Sequence, residues 1–417
     1  MKFIVIGITD NPEPWFPPEV MEIIRNGKVF SGGRRHHEIV APLLPAGSEW
    51  IDITVPLDAV FEQYLSTPFS NRRGAGGEAL IVFASGDPLF FGFANTIRRK
   101  MPEAKVTVCP TFNSLQLLAH RLLMPYHDMR IVSLTGRPWP EFDRALIERA
   151  SKIGILTDRE HTPAAIARRM MDYGYTYYNI YIGEHLGNPA SEKVSAFILE
   201  EAAQHTFDQP NCVILDSCDS ADSWSGRTRF GIADAEFALL DGREKMITKM
   251  PIRLLSLQAL DLPRRSVLWD IGFCTGSISI EARLQFPHLH IEAFEIRPEC
   301  EDIIHENARR FGAPGINVHI GDFCSVCCDS IAAPDAVFIG GHGGQLKTIM
   351  AKVCRHLRPG GVIVMNAVTV GRDVPVAPSR LLFEEACREL SLRQHPAMHI
   401  EINDYHPIDI LKCELPS

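Results

Sequence analysis

The residues 268–282, LWDIGFCTGSISIEA, carry the spacing with the clearest chemical meaning in this chain. An apolar run ends in Asp270, Gly272 and Gly276 stand four residues apart, and an amphipathic run follows. A glycine-rich turn between a strand and a helix commonly serves a nucleotide. A dinucleotide, however, needs G-x-G-x-x-G, whose second glycine admits the pyrophosphate and whose third lets helix and strand pack closely. Counting from Gly272, those places hold Cys274 and Ser277. What remains, Asp270-x-Gly272-x-x-x-Gly276, is a turn opened for a ligand that carries no phosphate. Glu295 ends the next apolar run and is placed to accept both hydroxyls of a ribose, each charge-assisted bond contributing roughly 1.5–3 kcal/mol. After the third run, Gly321-Asp322 is placed to take an adenine amino group.

These residues need a scaffold that brings strand ends together, and the periodicity supplies one. From residue 267 onward, apolar runs at 267–270, 290–295, 317–321, 336–339 and 361–368 alternate with helical patterns at about 277, 298–311, 345–357 and 379–390. Two closing strands follow near His399 and Ile408. This alternation predicts right-handed crossovers and a parallel sheet, with the ligand beyond the carboxyl ends of its strands. The first half alternates too, with β-rich runs at 3–6, 80–83, 105–109, 130–133, 153–156, 179–182 and 211–215 between helical segments such as 163–173. Small and polar residues replace the periodic pattern over 216–229 (DSCDSADSWSGRTR). The expected organisation is therefore α/β, with domains at 1–217 and 229–417 joined by a linker over 218–228.

Composition narrows the class. A chain of 417 residues exceeds one core, and 46% hydrophobic with 22% charged residues supports packed domains. The net charge of -9 argues against a general nucleic-acid binder, so an anionic ligand must be met by local basic residues. Eleven cysteines, an N-terminal apolar run broken by Gly7 and Asp10, and no membrane-length apolar stretch point to a cytoplasmic protein with reduced thiols. Cys324-x-x-Cys327-Cys328 lacks a second ligand pair at zinc-finger spacing and reads as thiols on a short helix, so no metal site is expected.

The order of turn, ribose acid and adenine acid resembles the Rossmann-like methyltransferases that use S-adenosylmethionine. The fourth strand leads into Ile339-Gly340-Gly341-His342-Gly343-Gly344 rather than an Asn/Asp-Pro-Pro-Tyr/Phe stretch. That suits a bulky flat substrate better than a planar amino group. Thr248, Lys249 and Arg253 lie just before the first helix of this half.

Together GIADAEF (231–237), MITKMPIR (246–253), residues 268–282, VFIGGHGG (337–344) and HLRPGGVIVMNAVT (356–369) resemble the C-terminal domain of the precorrin-6Y C5,15-methyltransferase (decarboxylating) family of cobalamin biosynthesis. FSGGRRHHE (30–38), VFASGDPLFFG (82–92), CPTFNSLQLLAHRL (109–122), IVSLTGR (131–137) and YIGEHLGNP (181–189) are similar to the tetrapyrrole methylase domain that precedes it.

The resemblance implies a two-subdomain tetrapyrrole methylase fold followed by a Rossmann-like methyltransferase domain. It implies one S-adenosylmethionine site in each, with Gly86, Asp87, Pro88, Thr111, Ser114 and the loop 183–186 on the cofactor side of the first. In the second, Thr248, Asp270, Gly272, Gly276, Glu295 and Asp322 are the expected cofactor residues. The implied substrate is a precorrin, or its cobalt complex, rimmed by acetates and propionates. Arg227, Arg229, Lys249, Arg253 and His342 are candidate carboxylate partners. The implied activity is methylation of carbons 5 and 15 with decarboxylation of the carbon 12 acetate. The family's glycine-rich opening turn is altered here to Gly7-Ile8-Thr9-Asp10, which favours an alternative in which the N-terminal domain only binds or channels the tetrapyrrole. Pro251 stands where many relatives have glutamate, so no acid-base residue is assigned. Neither nucleic acid nor membrane is an expected partner, and a homo-oligomer stays compatible with the sequence.

Overall fold

Strand β1 (Lys2–Ile8) is an unbroken apolar run because both of its faces are covered. Phe3 and Val5 point into a core shared with Val60, Tyr64 and Ile97, while Ile4, Ile6 and Ile8 join Val20, Ile24 and Val40 on the other side. The structure, a computed structural model, describes residues 1–67, 79–218, 230–368, 377–402 and 407–416. The expected linker lies mostly outside the described residues, as do Arg227 and Arg229. The chain packs as two compact units. One comprises Met1–Pro138, Ala150–Arg168 and Tyr177–Cys218; the other comprises Trp139–Arg149, Arg169–Thr176 and Asp219–Ser417. Among the described residues no helix is long and apolar enough to cross a membrane.

The first unit holds two five-stranded sheets. β2 (Val29–Gly32), β3 (Glu49–Asp52), β4 (Leu80–Ser85) and β5 (Lys105–Cys109) join β1 in the order β3-β2-β4-β1-β5, all parallel. The second sheet runs β6-β7-β10-β8-β9, from β6 (Arg130–Ser133), β7 (Lys152–Leu156), β8 (Tyr178–Glu184), β9 (Lys193–Phe197) and β10 (Asn211–Ser217). Only β6 and β7 pair in parallel there.

The second unit is built on one sheet. β11 (Val267–Ile271), β12 (His290–Glu295), β13 (Ile316–Ile320), β14 (Ala336–Ile339) and β15 (Val362–Val368) are parallel, in the order β13-β12-β11-β14-β15. β18 (Ile408–Glu414) then runs antiparallel to β15, and β16 (Arg393–Gln394) and β17 (Met398–Ile400) both pair with β18. This is the Rossmann-like arrangement expected, except that the last strands break the parallel rule. Only seven residues, 401–407, lie between β17 and β18, and so short a connection permits only antiparallel pairing. Trp269 and Ile271 face one core and Leu268 the other, and Asp270 is the penultimate residue of this central strand, near its carboxyl end.

Candidate active sites

In the second unit, the turn after β11 is held by backbone geometry that only glycine supplies at two points. Gly272 has φ +78°, and a Cβ there would lie 2.7 Å from the Gly341 nitrogen. Gly276 has φ +74°, and a Cβ would lie within 2.4 Å of the Ile304 side chain. Bulk at Gly276 would first strike the helix Glu299–Phe311. Asn307 of that helix is fully buried and clamps the turn, donating to the Thr275 carbonyl at 3.0 Å and exchanging hydrogen bonds with the backbone of Ala238.

Asp270 is 1% exposed. Its Oδ2 accepts from Ser279 Oγ at 2.6 Å, while Oδ1 is buried with no partner among the described residues. Burial pushes this carboxyl up to about 7; the Ser279 bonds oppose the rise and the charge of Glu295 adds to it. An orphaned carboxylate oxygen at a strand end fits the cationic head of S-adenosylmethionine, which can donate to it. Glu295 is already saturated. Arg297 grips both of its oxygens at 2.8 and 2.9 Å, and the Cys274 and Ile296 amides add bonds at 3.0 and 2.9 Å. Burial alone would raise its carboxyl, but the Arg297 bonds hold it below the ordinary range. Ribose hydroxyls would therefore have to replace Arg297.

Asp322 opens a turn in which Cys324 donates to its Oδ1 at 3.0 Å. The helix expected around Cys324, Cys327 and Cys328 is a turn instead. Buried Lys352 takes the carbonyls of Phe323, at 2.5 Å, and Val326, which a helix would use for itself. No group of three or more potential metal ligands lies together among the described residues.

Arg253 requires the largest correction. It is 0% exposed and ion-pairs with equally buried Glu281 at 2.5 Å. It also donates to Asp234 at 3.2 Å, to the Thr248 carbonyl at 2.8 Å and to the Ile232 carbonyl. A guanidinium so enclosed has no face for a substrate carboxylate. Thr248 contributes its backbone to this clamp. Lys249 sits at the edge, with Nζ 2.8 Å from the Glu244 carbonyl and 3.8 Å from Asp234. His342 lies in the loop after β14, where its Nδ1 accepts from the Gly344 amide at 3.1 Å and burial lowers its pKa.

The first unit contains a cleft of about 500 Å³. Gly86 and Ser114 line it, as do Gly183 and Leu186. Asp87, Pro88 and Thr111 shape its loops without lining it. The Asp87 carboxylate accepts from the Leu89 amide at 2.8 Å, and the backbone of Pro88 packs behind Gly92. Thr111 lies beside Gly7, where a Cβ would also stand 2.3 Å from the Gly86 carbonyl oxygen. The altered opening turn thus keeps the one glycine on which the approach of these loops depends. Asn113 caps the helix Ser114–Arg121 through a reciprocal pair with Gln116.

A polar chain in this cleft was not singled out from the sequence. Arg35 donates to Asp10 at 2.7 Å and to Ser85 Oγ at 2.8 Å, His36 Nε2 lies 2.8 Å from the same Ser85 oxygen, and His185 Nδ1 lies 2.9 Å from Asp10. At the rim, Arg137 lies over the exposed Phe91 ring, 4.9 Å from its centroid. The adjacent pair in GGRRHHE was the available signal, but nothing local says that its partners come from residues 10, 85 and 185.

Comparison with known proteins divides the chain at the same place as its two sheet systems. The family described as Tetrapyrrole (Corrin/Porphyrin) Methylases matches residues 2–203, and that described as Precorrin methyltransferase domain matches residues 241–391. A precorrin-6Y C(5,15)-methyltransferase [decarboxylating] of Sinorhizobium sp is 31% identical over 88% of this chain and 85% of its own. A cobalt-precorrin-6B C(15)-methyltransferase (decarboxylating) of Salmonella typhi is 38% identical over 36% of this chain and 76% of its own. A cobalt-precorrin-7 C(5)-methyltransferase of Salmonella typhimurium is 26% identical over 51% of this chain and 96% of its own.

Proposed function

The chain belongs to the precorrin-6Y C(5,15)-methyltransferase (decarboxylating) family, and from that membership we propose that it methylates carbons 5 and 15 of a precorrin or cobalt-precorrin and decarboxylates the carbon 12 acetate. We assign carbon 5 to residues 1–217, and carbon 15 with decarboxylation to residues 229–417, joined by the linker 218–228. The observation that carries this assignment is the presence of two unlike glycine turns at parallel-strand ends, Gly86 after β4 and Gly272 after β11, each at positive φ. Two such sites would be redundant for one reaction. Relatives that carry the two reactions as separate proteins support the division.

S-adenosylmethionine, the methyl donor of the family, supplies an electrophilic methyl group on sulfur. In the second unit the Oδ1 of Asp270 would receive its cationic head, Glu295 would take the ribose in place of Arg297, and Asp322 would take the adenine. In the first unit the loops of Gly86 and Ser114 bound the cofactor site. Each methyl transfer replaces a ring hydrogen, which leaves as a proton, so the macrocycle is its own nucleophile. Holding the reactants in line can contribute roughly 7–11 kcal/mol without a strong base. On decarboxylation the electrons of the broken carbon–carbon bond enter the conjugated ring, and the acetate carbon takes up a proton. With Arg253 withdrawn from this role, Lys249 and His342 remain for substrate carboxylates in the second unit, and Arg137 over Phe91 offers a cation beside a flat apolar surface in the first. Titration of the full chain with S-adenosylhomocysteine is expected to show two sites per chain; a single site would contradict one site per domain.

A further inference from the structure

We propose that Ser85 and Arg35 form a carboxylate-receiving subsite in the wall of the N-terminal cleft, with Ser85 fixed as a hydrogen-bond donor by the ring of His36. The inference rests on the reading of this unit as a tetrapyrrole methylase, and it follows from counting hydrogens. His36 Nδ1 accepts the Gly33 amide hydrogen at 3.2 Å. Burial, with the charge of Arg35 beside it, holds the ring down at about 4, so it is neutral near pH 7 and carries one hydrogen. With Nδ1 accepting, that hydrogen is on Nε2, which therefore cannot accept from Ser85 Oγ 2.8 Å away and shares its hydrogen between that oxygen and the Phe83 carbonyl. Arg35 can only donate, and it does so to the same oxygen at 2.8 Å. A hydroxyl has two lone pairs and one hydrogen. Both lone pairs of Ser85 are used, so its hydrogen points away from both donors. Ser85 is exposed and lines the cleft, and no acceptor stands against that hydrogen among the described residues.

Arg35 adds charge to this donor. Its side chain is 36% exposed, with one nitrogen on Asp10 and another on Ser85. The remaining guanidinium hydrogens have no partner among the described residues. Asp10 does not compete for the space, because one of its oxygens faces Arg35 and the other His185, and its side chain is 9% exposed. An oriented hydroxyl hydrogen beside a guanidinium edge recognises an anionic acceptor, and the charge-assisted geometry suits a carboxylate. Two ligands bring one: the amino-acid end of the cofactor and the acetate or propionate arms of the macrocycle.

The full chain with Ser85→Ala or Ser85→Thr separates these sources. S-adenosylhomocysteine is titrated by calorimetry, with the C-terminal site as internal control. A metal-free porphyrin octa-acid bearing acetate and propionate arms is titrated by fluorescence quenching. Loss of the hydroxyl is expected to weaken one of these ligands on the order of ten- to a hundredfold, and threonine to restore it. Weakening of the first identifies the cofactor carboxylate, and weakening of the second the substrate arms. If wild type binds both and Ser85→Ala changes neither, the subsite is wrong while the tetrapyrrole methylase reading stands. If wild type binds neither at this unit, both fail. Nitrogen-15 shifts of His36 provide a test without substitution: hydrogen on Nε2 is expected, and hydrogen on Nδ1 would overturn the inference.

Discussion

Replacing Arg253 by alanine is expected to damage stability rather than substrate affinity, and the structure sets the size of the effect. Arg253 and Glu281 are both 0% exposed and 2.5 Å apart. Removing the guanidinium leaves a buried carboxylate opposed by no charge, retaining the Gly231 amide as its remaining partner, and orphans the Thr248 and Ile232 carbonyls. Breaking a buried pair from one side costs about 3–5 kcal/mol. For a folding unit of roughly 150–250 residues, each kcal/mol moves the melting temperature by about 2–4 °C, so the C-terminal transition should fall by about 6–20 °C. The attraction to half-buried Asp234 adds little to this. Arg253→Met combined with Glu281→Gln, which removes both charges and keeps an acceptor for Gly231, should recover part of the loss. Calorimetry of the full chain measures the melting, and steady-state kinetics at a temperature where the variant is folded measures KM. An unchanged transition together with a raised substrate KM would refute this reasoning and return Arg253 to the substrate.

Other perturbations follow from the same geometry. The carboxyl of Asp270 is raised from an ordinary 3.8 to about 7, so its contribution to stability is fully present below the unfolded value and is lost as pH rises through the folded one. Asp270→Asn should flatten that loss in pH-dependent melts. If the cationic cofactor contacts the ionised form, binding near pH 6 must release a proton, so calorimetric enthalpies should vary with buffer ionisation; no such release would remove Asp270 from the site. Gly7→Ala should abolish carbon 5 methylation while sparing carbon 15, because its Cβ would stand 2.3 Å from the Gly86 carbonyl oxygen, as mass analysis of products would show. Lys352→Met should leave the Phe323 carbonyl without its donor and the Val326 carbonyl with only the weak Cys328 thiol, at roughly 1–3 kcal/mol, and hydrogen exchange should rise at residues 323–328.

Much of the second unit was legible because its strands are buried on both faces. Val267 to Asp270 and Ala336 to Ile339 read as apolar runs, and Gly312 closes the helix Glu299–Phe311 in the left-handed conformation expected of a terminating glycine. The strands that escaped notice lack that signal. β2 is buried, but Ser31 interrupts it with a hydroxyl bonded to Ile51 and Tyr64, and β3 and β9 are edge strands, β3 with one buried side chain in four and β9 with none. Site residues divide in the same way. Asp270 and Gly272 stand together at the end of one strand, so spacing alone marks them as candidates. The burial of Arg253 depends on Glu281, Asp234 and Ile232, and the role of Arg297 depends on the direction Glu295 faces, so neither could be read from residue type. Arg253 lies within the helix Met250–Ala259 rather than before it, and residue type alone does not say whether an arginine there faces substrate or fills a core.

The central claim is that one chain performs two methyl transfers and one decarboxylation. The direct measurement is mass spectrometry of the product formed by the full chain from a metal-free or cobalt-containing precorrin-6-type substrate and methyl-labelled S-adenosylmethionine. The account predicts two labelled methyl groups gained and one carbon dioxide lost per macrocycle. A terminal product with a single labelled methyl, or with two methyls and every carboxyl retained, would contradict it.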